Sequence, residues 1–465
     1  MPIDPRLDRR TLLKVGAALT AGAALPGWAA TPTLPASPGN TLLIKQATVL
    51  TMDQALGDLP RGDVLIENGA ISAVAPQLDS TGAQVVDARG MILIPGLIDS
   101  HWHLWNSFLR NSAPTAQGAA FFKSQVAQST RFTPQLSALG VRLGLAEAIH
   151  AGITTVSNWS HNLRHPDFAE AELQAMSASG LRTRLWYGYP QDLAPTDKMD
   201  LQNIQRIQQQ MQTSGRGRLD LGLAIRGPER TGPPVWREEF AFAKAHSLPV
   251  STHIAVTRKT QQQRAVQQLA RDGWLNPSLQ LVHATHVDAQ DIEHIASSGA
   301  SVCLTPLTEM RVGYGLAPVM ALHHAKIALS TGIDTLVLSG NANPFMVMQT
   351  LLNLATGMSE NELALKPAEV LHWSTLGAAR IMGLEAVTGS ISVGKRADLA
   401  LIDGRRLGLF PLTDPYAAVV QSATPADVDT VIADGRVLKQ GGRLLHIDIQ
   451  ALADDANRGW ASIRG

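Results

Sequence analysis

The sequence lacks the features that mark small disulfide-bonded, nucleic-acid-binding or membrane-spanning proteins. It contains one cysteine, Cys303, so no intramolecular disulfide can form. Only 17% of its 465 residues are charged and the formal net charge is +0, which leaves no basic stripe to neutralise phosphates. No apolar run approaches the roughly 20 residues that a membrane-spanning helix needs. These absences argue against a nucleic-acid partner, and no membrane span is expected in the mature chain.

The length and the histidine content are more informative. A chain of 465 residues exceeds what a single small core requires, and a barrel with a smaller appended domain would use this length. The hydrophobic content of 45% is ordinary for a globular enzyme. There are fourteen histidines, and neutral imidazole is the commonest metal ligand among side chains. Their positions relative to the predicted strands therefore deserve close inspection.

The first thirty residues are typical of an export signal. The charged segment Asp-Arg-Arg-Thr-Leu-Leu-Lys at residues 8–14 precedes a weakly apolar stretch at residues 15–25, and small residues follow at Ala29 and Ala30. This order of segments resembles a twin-arginine signal peptide. We therefore expect residues 1–30 to be removed and the mature chain to be periplasmic or secreted. A disordered tail with two coincidental arginines is the alternative.

Strand-like segments at the two ends of the chain predict a small β-sandwich. Residues 42–75 and 397–438 consist of short β-rich pieces separated by Gly, Asn and Asp-Gly turns. One of the later pieces covers residues 418–421. The predicted sandwich domain comprises residues 41–94 and 389–447.

Between these ends, eight apolar, strand-like runs alternate with helical stretches. The first run covers residues 91–98 and the last covers residues 326–333. This alternation predicts parallel βα units, and eight units in roughly 250 to 300 residues have the size of a closed barrel. The predicted fold class is therefore α/β, a TIM-like (β/α)8 barrel over residues 95–388. Because chemistry in such barrels lies at the carboxyl ends of the strands, polar residues directly after each run are the candidates.

Polar residues at three strand ends predict a metal site. His101 and His103 end the first barrel strand, and a spacing of two places both imidazoles on one face. His253 ends the fifth strand and Asp334 ends the eighth. These four ligands suit a zinc ion with an open position for water, whose pKa such an ion lowers toward roughly 7. Asp334 can also accept the proton of the water, and His283, which ends the sixth strand, would polarise the substrate or stabilise the hydroxide.

Together these segments resemble the amidohydrolase superfamily, in the branch that contains guanine, cytosine and adenosylhomocysteine deaminases and triazine chlorohydrolases. The resemblance covers nearly all of the mature chain. It is carried by Pro-Gly-Leu-Ile-Asp-Ser-His-Trp-His at residues 95–103, His253, His-Ala-Thr-His at residues 283–286, Asp334, and Gly-Lys-Arg-Ala-Asp-Leu at residues 394–399.

The resemblance implies one divalent metal ion, usually zinc or iron, bound by His101, His103, His253 and Asp334. It also implies a catalytic role for His283, a small-molecule substrate and a homo-oligomer, because relatives are often dimers or larger. Binuclear relatives carry a carboxylated lysine on the fourth strand. Residues 219–226 contain no lysine, so a single metal ion is expected.

The sequence departs from this resemblance at Val256. Deaminases of the branch carry a glutamate three residues after the fifth-strand histidine, where it shuttles a proton between water and a ring nitrogen. A valine cannot transfer a proton. We therefore expect hydrolysis of a non-peptide carbon–nitrogen bond of amide, cyclic amide or carbamate type in a small cyclic or aromatic molecule. The alternatives are a heteroaromatic deaminase or chlorohydrolase with a substitute carboxylate, and a metal-containing binding protein without turnover.

Three further residues are candidates for substrate binding. Glu309 follows the seventh strand and is the candidate substitute for the missing glutamate; its alternative is a loop carboxylate paired with Arg311. Asn106 occupies a position where relatives often bind substrate through a glutamine, and its alternative is a capping or supporting amide. His161 follows the second strand, where a structural hydrogen-bonding histidine is the alternative to a residue that lines the mouth.

Overall fold

The computed structural model describes residues 41–79, 81–113, 121–214 and 217–464. The predicted export signal lies outside these residues. The described part of the chain contains one sheet of eight strands and one of nine. Within the same residues, no helix is both long enough and apolar enough to cross a membrane.

The strands have the following bounds in chain order: β1 (Leu42–Val49), β2 (Leu59–Glu67), β3 (Ala70–Ala75), β4 (Gln84–Asp87), β5 (Met91–Pro95), β6 (Leu97–Trp102), β7 (Ile153–Ser160), β8 (Arg182–Tyr187), β9 (Leu219–Ala224), β10 (Val250–Ile254), β11 (Leu279–His283), β12 (Ser301–Leu304), β13 (Leu329–Thr331), β14 (Leu399–Asp403), β15 (Val428–Ala433), β16 (Arg436–Gln440) and β17 (Arg443–Leu444).

The α-helices are α1 (Phe121–Ser129), α2 (Pro134–His150), α3 (Pro166–Ala178), α4 (Leu201–Ser214), α5 (Pro233–Ala245), α6 (Arg258–Gln261), α7 (Ala265–Arg271), α8 (Ala289–Ser298), α9 (Pro306–Arg311), α10 (Val319–His324), α11 (Leu336–Ser339), α12 (Pro344–Ser359), α13 (Pro367–Trp373), α14 (Leu376–Ile381), α15 (Pro415–Ala417) and α16 (Ile449–Ile463). Short 3-10 turns lie at Leu104–Leu109 and Pro425–Asp427, and a π-helical turn lies at Ala418–Ser422.

Strands β6 to β13 form the predicted (β/α)8 barrel, in which each strand pairs in parallel with the next. The barrel closes where Trp102 and Asp334 form a parallel bridge. There the N–H of Asp334 donates to the carbonyl oxygen of His101 at 2.9 Å, and the N–H of His103 donates to that of Asp334 at 2.6 Å. Barrel closure therefore brings three of the four predicted metal ligands together through the backbone.

The strands of the barrel are buried on both faces, as expected for a parallel sheet covered by helices. All eight residues of β7 are buried, and its Ile-Thr-Thr-Val start is rich in β-branched residues that suit a strand. Cys303 on β12 is fully buried, and its sulfur accepts a hydrogen bond from the Ser100 hydroxyl at 3.2 Å.

Strands from both chain ends form the second sheet, with the order β17-β16-β15-β14-β5-β1-β2-β3 and with β4 beside β1. The two ends meet where β14 runs antiparallel to β5. The second sheet packs against an apolar core that includes Leu42, Ile44, Val49, Val64, Ile66, Leu93, Ile391, Leu399, Leu401 and Ile432. The additional β domain built from both chain ends is thereby confirmed, as a single nine-stranded sheet.

Two predicted strands differ in the structure. The run at residues 91–98 was predicted as one barrel strand, but Gly96 divides it into β5 of the chain-end sheet and β6 of the barrel. A Cβ at Gly96 would lie 2.1 Å from Oγ1 of Thr154, so only glycine allows this close crossing. Both strands are buried, so no change of polarity marks the break. The predicted strand at residues 418–421 is instead a helical turn that packs against α12.

Candidate active site

The four predicted metal ligands converge at the carboxyl end of the barrel. The Nε2 atoms of His101 and His253 lie 3.2 Å apart, and Oδ1 of Asp334 lies 3.5 Å from Nε2 of His101 and 3.2 Å from Nε2 of His103. One ligand nitrogen from each of the three histidines falls within 4.8 Å of the others. A five-coordinate zinc ion, with four protein ligands, one water and bonds of about 2.0–2.1 Å, separates adjacent ligand atoms by about 2.9–3.6 Å. The spacing therefore fits one zinc coordination sphere.

The protonation of these groups also suits a divalent cation. Nδ1 of His103 donates to the carbonyl oxygen of Trp159 at 2.7 Å, which leaves the Nε2 lone pair for the cluster. Burial lowers the pKa of His101 to about 3 and holds the pKa of His253 well below its usual range. Burial alone would raise the pKa of Asp334, but hydrogen bonds to His101 and His103 hold it well below its usual range. Neutral imidazoles and an ionised carboxylate are the ligand forms that zinc requires.

Asp99 fixes the backbone that carries these ligands. Its Oδ1 accepts from the N–H of His101 at 3.1 Å, and its Oδ2 accepts from the N–H of Ile333 at 2.7 Å. The carboxyl group thus joins β6 to the residue that precedes Asp334. Asp334 and His283 have φ angles of 65° and 72°, in the left-handed region that non-glycine residues disfavour. Backbone strain of this kind persists where surrounding contacts enforce it, often at functional sites.

His283 lies between two carboxylates. Its Nε2 is 4.0 Å from Oδ2 of Asp334, and its Nδ1 is 3.0 Å from Oγ1 of Thr305 and 3.4 Å from Oε1 of Glu309. The same Glu309 oxygen accepts from the N–H of Thr305 at 2.8 Å. Glu309 is fully buried on the Nδ1 side of His283 and is not bonded to Arg311 in the described hydrogen bonds. These contacts orient the imidazole, and direct substrate binding by Glu309 stays a prediction.

Asn106 and His161 are both bonded to protein groups near the cluster. Oδ1 of Asn106 accepts from the hydroxyl of Thr335, the residue after Asp334, at 3.0 Å. Nδ1 of His161 accepts from Nε1 of Trp105 at 3.1 Å, and the His161 ring centroid lies 4.1 Å from that of His103. Both residues therefore support ligand-bearing segments, and their contact with substrate stays a prediction.

Two further residues lie near the site: Trp159, at the end of the second barrel strand, and Glu229, which the sequence reasoning missed. Trp159 is fully buried, its ring centroid lies 4.4 Å from that of His253, and its carbonyl oxygen holds His103. Glu229 lies in the loop after β9, and its Oε1 accepts a hydrogen bond from the N–H of Ala255. Glu229 stands several residues beyond the predicted strand end, so a search directly after each strand passes over it.

A polar cleft opens beside the cluster. It has a volume of about 640 Å³, within the range of small-molecule sites. Tyr314 lies in its wall, and the Tyr314 ring centroid is 5.3 Å from that of His283. Arg258, Lys259 and His286 also line it. Among the described residues, Tyr314 therefore links this cleft to His283, which does not itself line it.

Comparison with known proteins gives consistent relationships. The model of the amidohydrolase family matches residues 92–438. A 5′-deoxyadenosine deaminase of Methanosarcina mazei is 27% identical over 427 residues, which cover 90% of this chain and 97% of the relative. A structure of an adenosine deaminase from Xanthomonas campestris with bound zinc superimposes with a TM-score of 0.84 at 24% identity, covering 92% of this chain and all of that one. An atrazine chlorohydrolase from Arthrobacter aurescens, complexed with zinc, gives a TM-score of 0.79 at 21% identity, covering 91% of this chain and 100% of that one.

Proposed function

Because this chain belongs to the amidohydrolase family, and is thus a hydrolase of carbon–nitrogen bonds other than peptide bonds, we propose that it removes an amino group from a heteroaromatic ring with the help of one zinc ion. The observation that carries the proposal is the convergence of His101, His103, His253 and Asp334 beside His283, with the three histidine ligand nitrogens within 4.8 Å of one another and Asp334 within 3.5 Å of two of them.

The side chains around this cluster have distinct tasks. When bound, zinc would supply a Lewis acid that lowers the pKa of a water molecule toward about 7. Asp334 is ionised, so it can accept and return a proton beside the reacting centre. Glu309 lies beside Nδ1 of His283 and favours a proton on that nitrogen. The other ring nitrogen, Nε2, faces Asp334 and is therefore the atom that can exchange a proton with the reacting groups.

The choice of a ring amine as substrate rests on the relatives. The curated relative from Methanosarcina mazei deaminates 5′-deoxyadenosine, and one from Halobacterium salinarum, 28% identical over 432 residues, is a deaminase of 5-methylthioadenosine and S-adenosylhomocysteine. Val256 favours the second candidate, hydrolysis of an amide, cyclic amide or carbamate, because that reaction requires no proton transfer to a ring nitrogen.

A paired substrate panel separates the two candidates. The zinc-loaded chain is assayed for ammonia release from 5′-deoxyadenosine and 5-methylthioadenosine, and for ring opening or amine release from lactams and carbamates. We expect ammonia release, abolished by His253→Ala and retained by His324→Ala, which removes an exposed histidine on α10. Turnover of the second group alone would establish the second candidate. No turnover of either group would contradict the proposed function.

We also propose where the protein is located and that it assembles as a homo-oligomer. Export to the periplasm or the medium rests on residues 1–30 alone, and a homo-oligomer rests on family resemblance alone. Zinc is proposed over iron because three imidazoles and one carboxylate are ligands that zinc commonly takes.

A further inference from the structure

The missing glutamate leaves a specific gap beside the fifth strand. Val256 is buried and apolar, three residues after His253. A carboxylate from the loop that follows the neighbouring strand, β9, nevertheless contacts the backbone beside Val256. Oε1 of Glu229 accepts a hydrogen bond from the N–H of Ala255, the residue directly before Val256. Glu229 and Ala255 are 26 residues apart in sequence, so the fold alone brings them together.

The loop that carries Glu229 is built tightly onto β10. Gly227 has a φ of +67°, and a Cβ there would lie 2.8 Å from Oγ1 of Thr252, the residue before His253. The N–H groups of Arg230 and Thr231 both donate to the carbonyl oxygen of Gly227 at 3.2 Å, which closes a compact turn around Glu229. The turn that carries Glu229 is therefore closed on Gly227, which itself lies close to Thr252 on β10.

The surroundings of Glu229 suit a group that exchanges protons. Its carboxyl is half-buried, and burial raises its pKa, while the Ala255 amide, the Thr260 side chain, Arg230 and His283 act in the opposite direction. A carboxyl group whose pKa is raised by burial takes up a proton more readily than an exposed one and can return it to a substrate. Glu309 is different, because its oxygen already accepts from the N–H of Thr305 and contacts His283.

We propose that Glu229 replaces the family's glutamate as the proton-transferring carboxylate, a role that rests on the proposed deamination. The attacking water loses a proton to Glu229 as its oxygen bonds to the ring carbon that carries the amine, and the electron pair of the ring C=N bond moves to the ring nitrogen. Glu229 gives the proton to that nitrogen and becomes a carboxylate again. The bond to the amine then breaks, the hydroxyl proton passes through Asp334 to the leaving nitrogen, and ammonia and a ring carbonyl form.

Moving the carboxylate between the two positions tests this role. In the zinc-loaded full chain, with 5′-deoxyadenosine as the first amine assayed, Glu229→Gln should lower kcat by roughly 10²- to 10⁴-fold. Adding Val256→Glu to that variant should raise kcat again by at least about tenfold, because this substitution places a carboxylate beside the same backbone segment. Glu238→Gln is the matched control, since Glu238 lies exposed on α5 and pairs with Lys198 at 2.6 Å.

A binding measurement complements the kinetics. A 6-hydroxy-1,6-dihydropurine nucleoside imitates the hydrated ring, and its N1–H can donate to a carboxylate. Calorimetry should show that Glu229→Gln weakens binding of this analogue at least about tenfold more than it weakens binding of the substrate. The zinc stoichiometry and the Tm of the variant should match those of the wild type. Unchanged kcat in Glu229→Gln, or loss of zinc from it, would overturn the proposal. Absence of ammonia release from the wild type would instead contradict the proposed function itself.

Discussion

Asp99 and Asp63 are buried carboxylates that each accept hydrogen bonds from two backbone N–H groups. Comparing their alanine variants separates the contribution of Asp99 to metal binding from its contribution to the stability of the fold. Asp99 accepts from the N–H groups of His101 and Ile333 at 3.1 and 2.7 Å. Asp63, in the chain-end sheet, accepts from the N–H groups of Gln46 and Leu78 at 2.8 and 2.9 Å. Both are almost fully buried, at 4% and 1% exposure. Each therefore bridges two backbone amides, but only Asp99 bridges segments that bear metal ligands.

The expected stability loss is similar for both alanine variants. Removing either carboxylate leaves two backbone N–H groups without their partner, and a buried unpaired donor costs about 1–3 kcal/mol. Asp99→Ala and Asp63→Ala should each lower the free energy of unfolding of the metal-free chain by about 2–6 kcal/mol in urea titrations. Asp99→Ala should also weaken zinc binding by about 10- to 100-fold, as changes behind metal ligands typically do.

Competition with a chelator of known affinity measures zinc binding in both variants. Asp63→Ala should bind zinc as tightly as the wild type, because its bridge lies in the other sheet. Equal zinc affinities for Asp99→Ala and Asp63→Ala would refute the view that Asp99 positions the ligands. If both variants lost zinc affinity, the loss in Asp99→Ala would result from general destabilisation of the fold.

Three further predictions concern other parts of the molecule. Burial raises the pKa of Glu172 to about 7, so the folded chain holds the proton of this carboxyl group more tightly than the unfolded chain does. The free energy of unfolding should therefore fall by on the order of 3 kcal/mol as pH rises from about 4.5 to about 7. Urea titrations at pH 5 and pH 8 should show a smaller fall in Glu172→Gln, and an identical fall would exclude Glu172 as its source. Glu309→Gln should lower kcat about 10- to 100-fold with unchanged zinc content, because it disturbs the orientation of His283; full turnover would leave Glu309 without a role. Residues 1–30 should export a fluorescent protein and fail to do so with Arg9→Lys and Arg10→Lys, whereas equal export would remove the twin-arginine assignment.

The positions of the cluster residues could be predicted because a local pattern and one topological rule suffice. Each of His101, His253, His283 and Asp334 stands at or just after the end of an apolar run, and the carboxyl ends of parallel barrel strands share one face. The structure brings these residues together at that face. Their roles as ligands and catalyst remain proposals that the experiments above test.

Other features depend on contacts that a local pattern does not contain. The change of sheet at Gly96 is hidden because β5 and β6 are both apolar and buried. The contact of Glu309 with His283 joins residues on two different strand ends, so its sequence neighbour Arg311 was the more visible partner. Glu229 approaches Ala255 only through a turn held against β10, and no residue type in that turn identifies its target.

The most direct test of the account is the dependence of turnover on metal content. The chain is stripped of metal, zinc is added in steps, and bound zinc and ammonia release from 5′-deoxyadenosine are measured on the same samples. Turnover should rise in proportion to bound zinc and reach its plateau at one ion per chain, because His101, His103, His253 and Asp334 surround a single site. Full turnover in the stripped chain, or a plateau reached only at two ions per chain, would contradict a single-zinc mechanism.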